Sequence, residues 1–236
     1  MKLSAPIYRL KRQAHQLAKE NDIPLHQSLD NIAKREGYNS WSHLASALAQ
    51  EPVTTVSQRL KPGELILIAA RPGQGKTMLA LQLAIESMEQ GHDAWFYSLD
   101  WTHEQMLAGF ASLHIDAKQY AHRFTFDDAD EISGPYICES ANQATEGSMI
   151  VIDYLQLLDQ RRDTPTLQEQ LNELRNWARA KSLILVFISQ VSRSFKQDTG
   201  TLPTLEEVRL PNPLDLKVFD HFCSLHDGQL SLNKVA

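Results

Sequence analysis

Hydrophobic residues recur along this chain in two patterns, and the change from one to the other divides the sequence. From residue 4 to residue 49, apolar residues return every three to four positions, as on one face of a helix. The spacing predicts three short helices, with Ser4 capping the first and Gly37 ending the second. We therefore expect residues 1–50 to form a small helical bundle.

Short and nearly continuous apolar runs replace this pattern after residue 63. The runs are "ELILIAA", "DAWFYSLD", "SMIVIDYLQLL" and "LILVFISQ", and helical stretches separate them at 78–90, 104–113 and 167–180. Capping boxes at Thr102 with Gln105, and at Thr166 with Glu169, mark two of the helix starts. Buried strands alternating with helices predict an α/β domain over residues 64–236, with a mainly parallel sheet between helices.

Residues 51–63 lie between the two patterns. This stretch contains Pro52 and Pro62 and has no helical period, so we predict a linker. The bundle before it resembles a helix-turn-helix, but its last predicted helix, "SWSHLASALAQ", contains no Lys or Arg to contact DNA. A docking or oligomerisation module is the favoured interpretation, with DNA recognition and simple packing as alternatives.

Composition narrows the function further. With 42% hydrophobic and 22% charged residues, the chain has the make-up of a soluble globular protein. No long apolar run or apolar leader is present, which predicts a cytoplasmic protein without a membrane partner, and Cys138 and Cys223 are expected to be reduced. The net charge of −6 argues against nucleic-acid binding over the whole surface but allows a local basic channel.

The segment "AARPGQGKTMLALQLA" contains the clearest chemical motif. The phosphate-loop signature G-x-x-x-x-G-K-[ST] is complete except at its first position, which is Ala70. The segment follows a predicted strand and opens a predicted helix, so its backbone N–H groups can hold phosphates. Lys76 can neutralise the β- and γ-phosphates, and Thr77 can bind Mg²⁺. The predicted ATP-binding residues are Arg71, Pro72, Gly73, Gln74, Gly75, Lys76, Thr77 and Met78.

A second element supports a nucleotide site. Asp153 follows four apolar residues in "GSMIVIDYLQLLD", at the predicted end of a strand. A carboxylate in that position can hold Mg²⁺ through water, so Thr77 and Asp153 are the predicted magnesium-binding residues.

At these residues the sequence resembles the ATPase domain of DnaB-type replicative helicases, within the RecA-like class of phosphate-loop NTPases. The matching phrases "AARPGQGKTMLALQLA", "FYSLD", "VIDYLQLL" and "ISQVSRSF" stand in the family's order and span residues 60–195. Alanine is common at the first motif position in that family. The resemblance implies an ATPase of the helicase type that acts on DNA as an oligomer, such as a hexameric ring.

The resemblance also assigns catalytic roles. Asp100 stands where the family has a glutamate that polarises the attacking water, and Glu104 is the alternative. Gln190 matches the glutamine that senses the γ-phosphate, so the catalytic set is Lys76, Asp100, Asp153 and Gln190. Single-stranded DNA is expected near two basic segments, through Arg161, Arg162, Arg193, Phe195 and Lys196, where Phe195 could stack on a base.

Other parts of the chain depart from the family. Lys234 could match the lysine of the family's Lys-x-Arg finger, which reaches a neighbouring subunit's nucleotide, but no arginine follows it. The small bundle stands where replicative helicases have a larger helical domain, and it could meet a protein partner. The alternative function is therefore a nucleotide-dependent switch or assembly module with weak hydrolysis and no helicase activity.

Overall fold

The computed structural model describes residues 4, 7–159, 164–192, 195, 202–210, 212–226 and 228–235, without the side chains of 7–9 and 45–52. Contacts divide the chain into two compact units, residues 1–55 and 56–236. The units are described separately.

Helices make up the first unit, as the apolar spacing predicts. They are α1 (Ile7–Asn21), α2 (Leu25–Arg35) and α3 (Trp41–Ser57), the last of which continues into the second unit. Leu10, Ala14 and Ile32 are buried together at their centre. The buried Ser28 donates a hydrogen bond from Oγ to the Ala14 carbonyl at 2.6 Å, which satisfies its hydroxyl inside the bundle.

Helix α3 corrects the predicted linker. We expected no helix in residues 51–63, yet α3 runs on to Ser57. Val53 and Val56 are buried in this last part of the helix, and such burial outweighs a weak local preference for helix. The irregular segment between α3 and the first strand is therefore shorter than the sequence indicates.

A seven-stranded sheet forms the centre of the second unit. Its strands are β1 (Leu65–Ala70), β2 (Ala94–Ser98), β3 (Phe124–Asp127), β4 (Met149–Asp153), β5 (Ile184–Gln190), β6 (His221–His226) and β7 (Gln229–Lys234). Their order across the sheet is β3-β2-β4-β5-β1-β6-β7. Every pairing is parallel except the last, in which β7 runs antiparallel to β6.

Helices cover both faces of this sheet. On one face, Leu65 and Leu67 of β1 share a core with α6 (Gly134–Ser140) and α7 (Leu167–Lys181). Strand side chains alternate between faces, so Ile66 and Ile68 lie on the other, where α4 (Lys76–Glu89) contacts the strands. The fold is therefore α/β with a mainly parallel sheet flanked by helices, as predicted.

The capping boxes are confirmed at two helix starts. Thr102 Oγ1 accepts from the Gln105 N–H before α5 (His103–Ser112), and the Gln105 side chain accepts from the Thr102 N–H in return. Thr166 and Glu169 make the same reciprocal pair before α7. Each box satisfies N–H groups that a helix start otherwise leaves without an acceptor.

Three local predictions need correction or addition. The run "SMIVIDYLQLL" does not stay extended, because β4 ends at Asp153 and a short 3₁₀ helix follows at Leu155–Asp159. Strand β3 and helix α6 were not predicted. Strand β3 has four residues, none of them fully buried, and among the described strands it pairs with β2 alone. A half-exposed edge strand of this kind does not show the continuous apolar run of the central strands.

Two further observations bear on earlier expectations. Within the described residues, no helix is both long enough and apolar enough to span a membrane. Neither cysteine forms a disulfide, and burial raises the pKa of Cys138 to about 11 and that of Cys223 to about 12. Both thiols therefore remain protonated near neutral pH.

Candidate nucleotide site

The loop between β1 and α4 has the backbone shape that wraps an anion. Gly73 and Gly75 have φ angles of +78° and +84°, a region that favours glycine because it has no Cβ. A Cβ added at either position would meet no atom of the described residues within 4 Å, which leaves space for a ligand beside the loop. Both glycines of the sequence motif are thus required by the backbone conformation.

Ala70 shows why the absent first glycine does no harm. It is the last residue of β1, fully buried, and it pairs with Gln190 of β5 and Leu225 of β6. An extended strand position needs no positive φ, so alanine fits there. The loop proper begins only at the next residue.

Helix α4 begins at Lys76 without a side chain to cap it. Its N-cap residue is Gly75, which has no side chain that could accept a hydrogen bond from the first-turn N–H groups. Unpaired N–H groups and the helix dipole together favour an anion at this position. The uncapped start of α4 therefore has the electrostatics of a phosphate site.

Thr77 and Asp153 meet beside this helix start. The Thr77 hydroxyl donates to Asp153 Oδ2 at 2.8 Å, although the two residues are 76 positions apart in the chain. Asp153 ends β4 and is 1% exposed. Burial is the main cause that raises the pKa of Asp153, to about 6, and the negative charge of Asp100 also raises it. The hydrogen bond from Thr77 and the positive charge of Lys76 lower this pKa.

Lys76 lies in the same electrostatic environment. Burial lowers its pKa, while the nearby charges of Asp153 and Asp100 oppose that shift. An ammonium beside a buried carboxylate and a hydroxyl provides the groups that bind a phosphate and a divalent cation together. The residues present therefore fit a nucleotide with Mg²⁺.

Asp100 lies just beyond β2, at the same end of the sheet. Ser98 pairs with Asp153 across the strands, and the Ser98 hydroxyl accepts from the Asp100 N–H at 3.2 Å and from the Trp101 N–H at 3.1 Å. These bonds fix the backbone that carries the exposed Asp100 side chain. Asp100, rather than Glu104, is the carboxylate whose charge acts on both Lys76 and Asp153.

Gln190 is the last residue of β5 and is half-buried. Its carbonyl accepts from the Arg209 N–H at 2.7 Å, which holds the end of β5 against the segment near residue 208. Arg71 Nη1 donates to the Ser192 carbonyl at 3.5 Å. The phosphate loop and the chain after Gln190 are thereby in direct contact.

Gln156 belongs to this region but was not identified from the sequence. Its Nε2 donates to Ser189 Oγ at 3.2 Å and to the Arg209 carbonyl at 2.8 Å. It therefore links the segment after β4 to the end of β5. One signal was present, because Gln156 is a single polar residue within the apolar run after Asp153.

Of the five residues predicted to contact DNA, the structure describes one. Arg161, Arg162, Arg193 and Lys196 lie outside the described residues. Phe195 contradicts the prediction that it stacks on a base, because it is 7% exposed and packs edge-on against His226 with ring centroids 5.5 Å apart. Its apolar ring is more stable in the core than at the surface.

Lys234 is exposed at the end of β7. Its Cα partner is His221, the first residue of β6, so it lies at the end of the sheet opposite the phosphate loop of the same chain.

Comparison with known proteins supports the fold and identifies the family. The sequence model of the family "ATPase: KaiC" matches residues 28–209. The replicative DNA helicase DnaB of Leifsonia xyli subsp. xyli (strain CTCB07) is 26% identical over 181 residues, which is 64% of this chain and 40% of that protein. This chain thus spans well under half the length of that relative.

Two solved structures share the fold. One is an ATPase domain with a TM-score of 0.58 at 20% identity, and the match covers 73% of each chain. The other is a DnaB-like replicative helicase, described with its interactions with primase. Its TM-score is 0.59 at 17% identity, covering 97% of this chain and 74% of the other.

Proposed function

Because this chain belongs to the KaiC family of ATPases and has a RecA-like domain of the DnaB-helicase type, we propose that it binds and hydrolyses ATP with Mg²⁺ and acts on DNA as an oligomer. The contact between Thr77 and Asp153 at 2.8 Å is the observation that carries this proposal. It joins the two oxygen ligands that the sequence motifs assign to magnesium, at the uncapped start of α4.

The positions of the groups support the proposed division of roles. The N–H groups of the loop from Arg71 to Met78 and the Lys76 ammonium bind the phosphates. Thr77 and Asp153 would hold Mg²⁺, and the ion would offset the negative charge of the phosphates. The described residues contain no group of three or more His, Cys, Asp or Glu side chains that could hold a metal, so phosphate and water would complete its shell.

Asp100 and Gln190 are the proposed groups of the hydrolytic step. The exposed Asp100 carboxylate orients the attacking water, at the same end of the sheet as Lys76. Gln190 senses the γ-phosphate from the end of β5, beside the strand that leads into the phosphate loop. Loss of that phosphate would be felt through the segment after Gln190, which Arg71 contacts at Ser192.

ATP turnover measured with and without single-stranded DNA tests the proposal. We expect DNA to stimulate hydrolysis at low salt, and Lys76→Ala to abolish ATP binding or turnover. Asp153→Ala should weaken magnesium-dependent turnover more than nucleotide binding. Lys118→Ala, at an exposed position in another part of the domain, is the control and should match wild type. Turnover by Lys76→Ala at the wild-type rate would contradict the site assignment.

The substitution of aspartate for glutamate at position 100 favours a second candidate function. A side chain one methylene shorter reaches less far, and a slow ATPase could serve as a nucleotide-dependent switch or assembly module. Strand unwinding together with rapid hydrolysis would exclude the switch. Conversely, Asp100→Glu should raise turnover if reach limits the rate.

Oligomer formation and partner binding complete the proposal. A ring would place Lys234 of one subunit near the nucleotide of its neighbour, and the helical unit would bind a protein partner or another subunit. Molar mass measured by light scattering, with and without ATP and Mg²⁺, tests the first point. A monomer under every condition would contradict it.

A further inference from the structure

A second concave surface lies far from the phosphate loop. Six residues line this basic pocket of about 370 Å³: Gln58, Arg59, Lys61, His221, Leu232 and Lys234. All six belong to the second unit. Three of them carry a full positive charge, in a chain whose net charge is −6.

The sheet places the basic pocket and the phosphate loop at opposite ends. Lys61 comes just before β1, whereas the loop comes just after it. His221 is the first residue of β6, and Lys234 pairs with it across the antiparallel edge. Strand β1 has six residues, so its length separates the two sites by about 20 Å at roughly 3.3 Å per residue.

In the part of the chain that the structure describes, no carboxylate neutralises the cations of the pocket. Arg59 Nη1 donates to the Leu232 carbonyl at 3.3 Å, which holds the guanidinium beside β7. Among the described residues, no carboxylate forms an ion pair with Arg59, Lys61 or Lys234.

One acidic group beside the pocket, Glu64, is already engaged. Glu64 Oε2 lies 3.0 Å from His221 Nε2 and accepts from the Lys61 N–H at 2.8 Å. Its contacts are therefore with the buried imidazole and with backbone, and the three side-chain cations keep their charge for a ligand.

We propose that the basic pocket is a second phosphate-binding site, separate from the phosphate loop. Arg matches phosphate oxygens with several donors in a fixed plane, and two ammonium groups add charge without geometric demands. The carbonyl of Leu232 orients Arg59 in advance, which lowers the entropy lost on binding. Phosphates of a nucleotide or of a nucleic-acid strand supply this same chemistry.

Tripolyphosphate binding, measured by calorimetry on the full chain in a Lys76→Ala background, tests the site without any need for hydrolysis. We expect the further changes Arg59→Gln, Lys61→Gln and Lys234→Gln to weaken the remaining binding at least tenfold. The matched control removes the same charge at exposed positions elsewhere, with Lys11→Gln, Lys19→Gln and Lys118→Gln, and should change affinity less than twofold. Equal losses in both triple variants, or no binding before them, would overturn the proposal.

Two further arms identify the source of the phosphate. Anisotropy of a labelled dT20 strand, measured across a salt series, gives the slope of the logarithm of the binding constant against the logarithm of the salt concentration. If the site binds nucleic acid, the triple glutamine variant should reduce the magnitude of this slope by about two, since each of three phosphate contacts contributes roughly 0.7. If the site binds a nucleotide instead, the triple glutamine variant should bind ATP more weakly in a titration. Binding of neither ligand by the pocket would overturn the proposal.

A charge-preserving variant separates charge from structural damage. Arg59→Lys with Lys61→Arg and Lys234→Arg should keep tripolyphosphate affinity within about threefold, because the net charge is unchanged. Melting temperatures of all variants should agree, since the three side chains are exposed. Loss of binding in the charge-preserving variant as large as in the glutamine variant would contradict charge pairing as the cause.

Discussion

Asp153 carries conflicting demands, because it is 1% exposed and yet is the carboxylate expected to meet a metal ion. Burial penalises its ionised form and raises its pKa to about 6 from 3.8. Thr77 and Lys76 reduce this penalty without removing it. A divalent cation would compensate the remaining charge, which is the arrangement expected of a site made for a ligand rather than for stability.

This conflict predicts a pH dependence of stability in the metal-free protein. A raised folded-state pKa gives stability that is full below about pH 4 and is lost as pH rises through about 6. In Asp153→Asn that loss should be absent. The difference in unfolding free energy between the variant and wild type should therefore change by on the order of 3 kcal/mol between pH 4 and pH 7.

Urea unfolding in EDTA across this pH range measures the effect. Asn keeps an oxygen that can accept from Thr77, so the comparison isolates the charge. Asp128→Asn, an exposed carboxylate change, is the control and should follow the wild-type profile. Parallel profiles for wild type and Asp153→Asn would contradict the buried-charge explanation.

At the scale of elements, α5 packs so closely at Gly109 that a substitution there should change stability in the opposite direction from the usual one. A Cβ at Gly109 would lie 2.8 Å from Trp101 Cζ3 and 3.0 Å from Leu81 Cδ2, so the side chains would have to move. Glycine to alanine inside a helix normally stabilises by about 1 kcal/mol. Here we expect Gly109→Ala to destabilise, by roughly 1–3 kcal/mol.

A double-mutant cycle with Trp101→Ala identifies the cause. Removing the indole should make the added methyl less harmful, giving a favourable coupling energy. The exposed Ala108→Gly in the same helix is a control for helix propensity and should destabilise by about 1 kcal/mol. Additive effects of Gly109→Ala and Trp101→Ala would show that the ring is not the obstacle.

The elements also show how much of the fold could be predicted from the sequence. Strands β1, β2, β4 and β5 were predicted because each is a continuous apolar run, and α5 and α7 because capping residues mark their starts. Strand β3 escaped prediction because an edge strand with half-exposed residues has no such run. Phe195 was misassigned because sequence cannot tell an aromatic residue that reaches the core from one that faces a ligand.

The same limit applies to the site. Lys76, Thr77 and Asp153 could be predicted because they belong to sequence motifs in which the spacing of the residues indicates their chemical role. The links made by Gln156 and by Arg71 depend on which segments meet in space, which no local pattern encodes. The basic pocket likewise joins residues about 170 positions apart, such as Arg59 and Leu232.

At the scale of the molecule, the proposed ATP-binding residues all lie in one of the two units. Lys76, Thr77, Asp100 and Asp153 all lie in residues 56–236. A fragment of those residues should therefore bind ATP with Mg²⁺ within about twofold of the full chain's affinity, since the contacts that hold the site are retained. Calorimetry on the two proteins measures this, and tenfold weaker binding by the folded fragment would contradict it.

Differences between fragment and full chain in other assays would then report on the helices of the first unit. If those helices bind another subunit, the fragment should have the smaller molar mass at equal concentration. If they bind only a separate protein partner, the two should share one oligomeric state.

The uncapped start of α4 has one more consequence, for the timing of local opening. Its N-cap residue, Gly75, offers the first-turn amides no side-chain acceptor, so without a ligand these amides should exchange with deuterium early, although α4 itself is largely buried. Phosphates would supply the missing acceptors and slow that exchange at residues 76–78. A bound nucleotide would then provide the hydrogen bonds that the helix start lacks. The deuterium exchange rates of the amides in one helical turn would therefore report whether the nucleotide is bound.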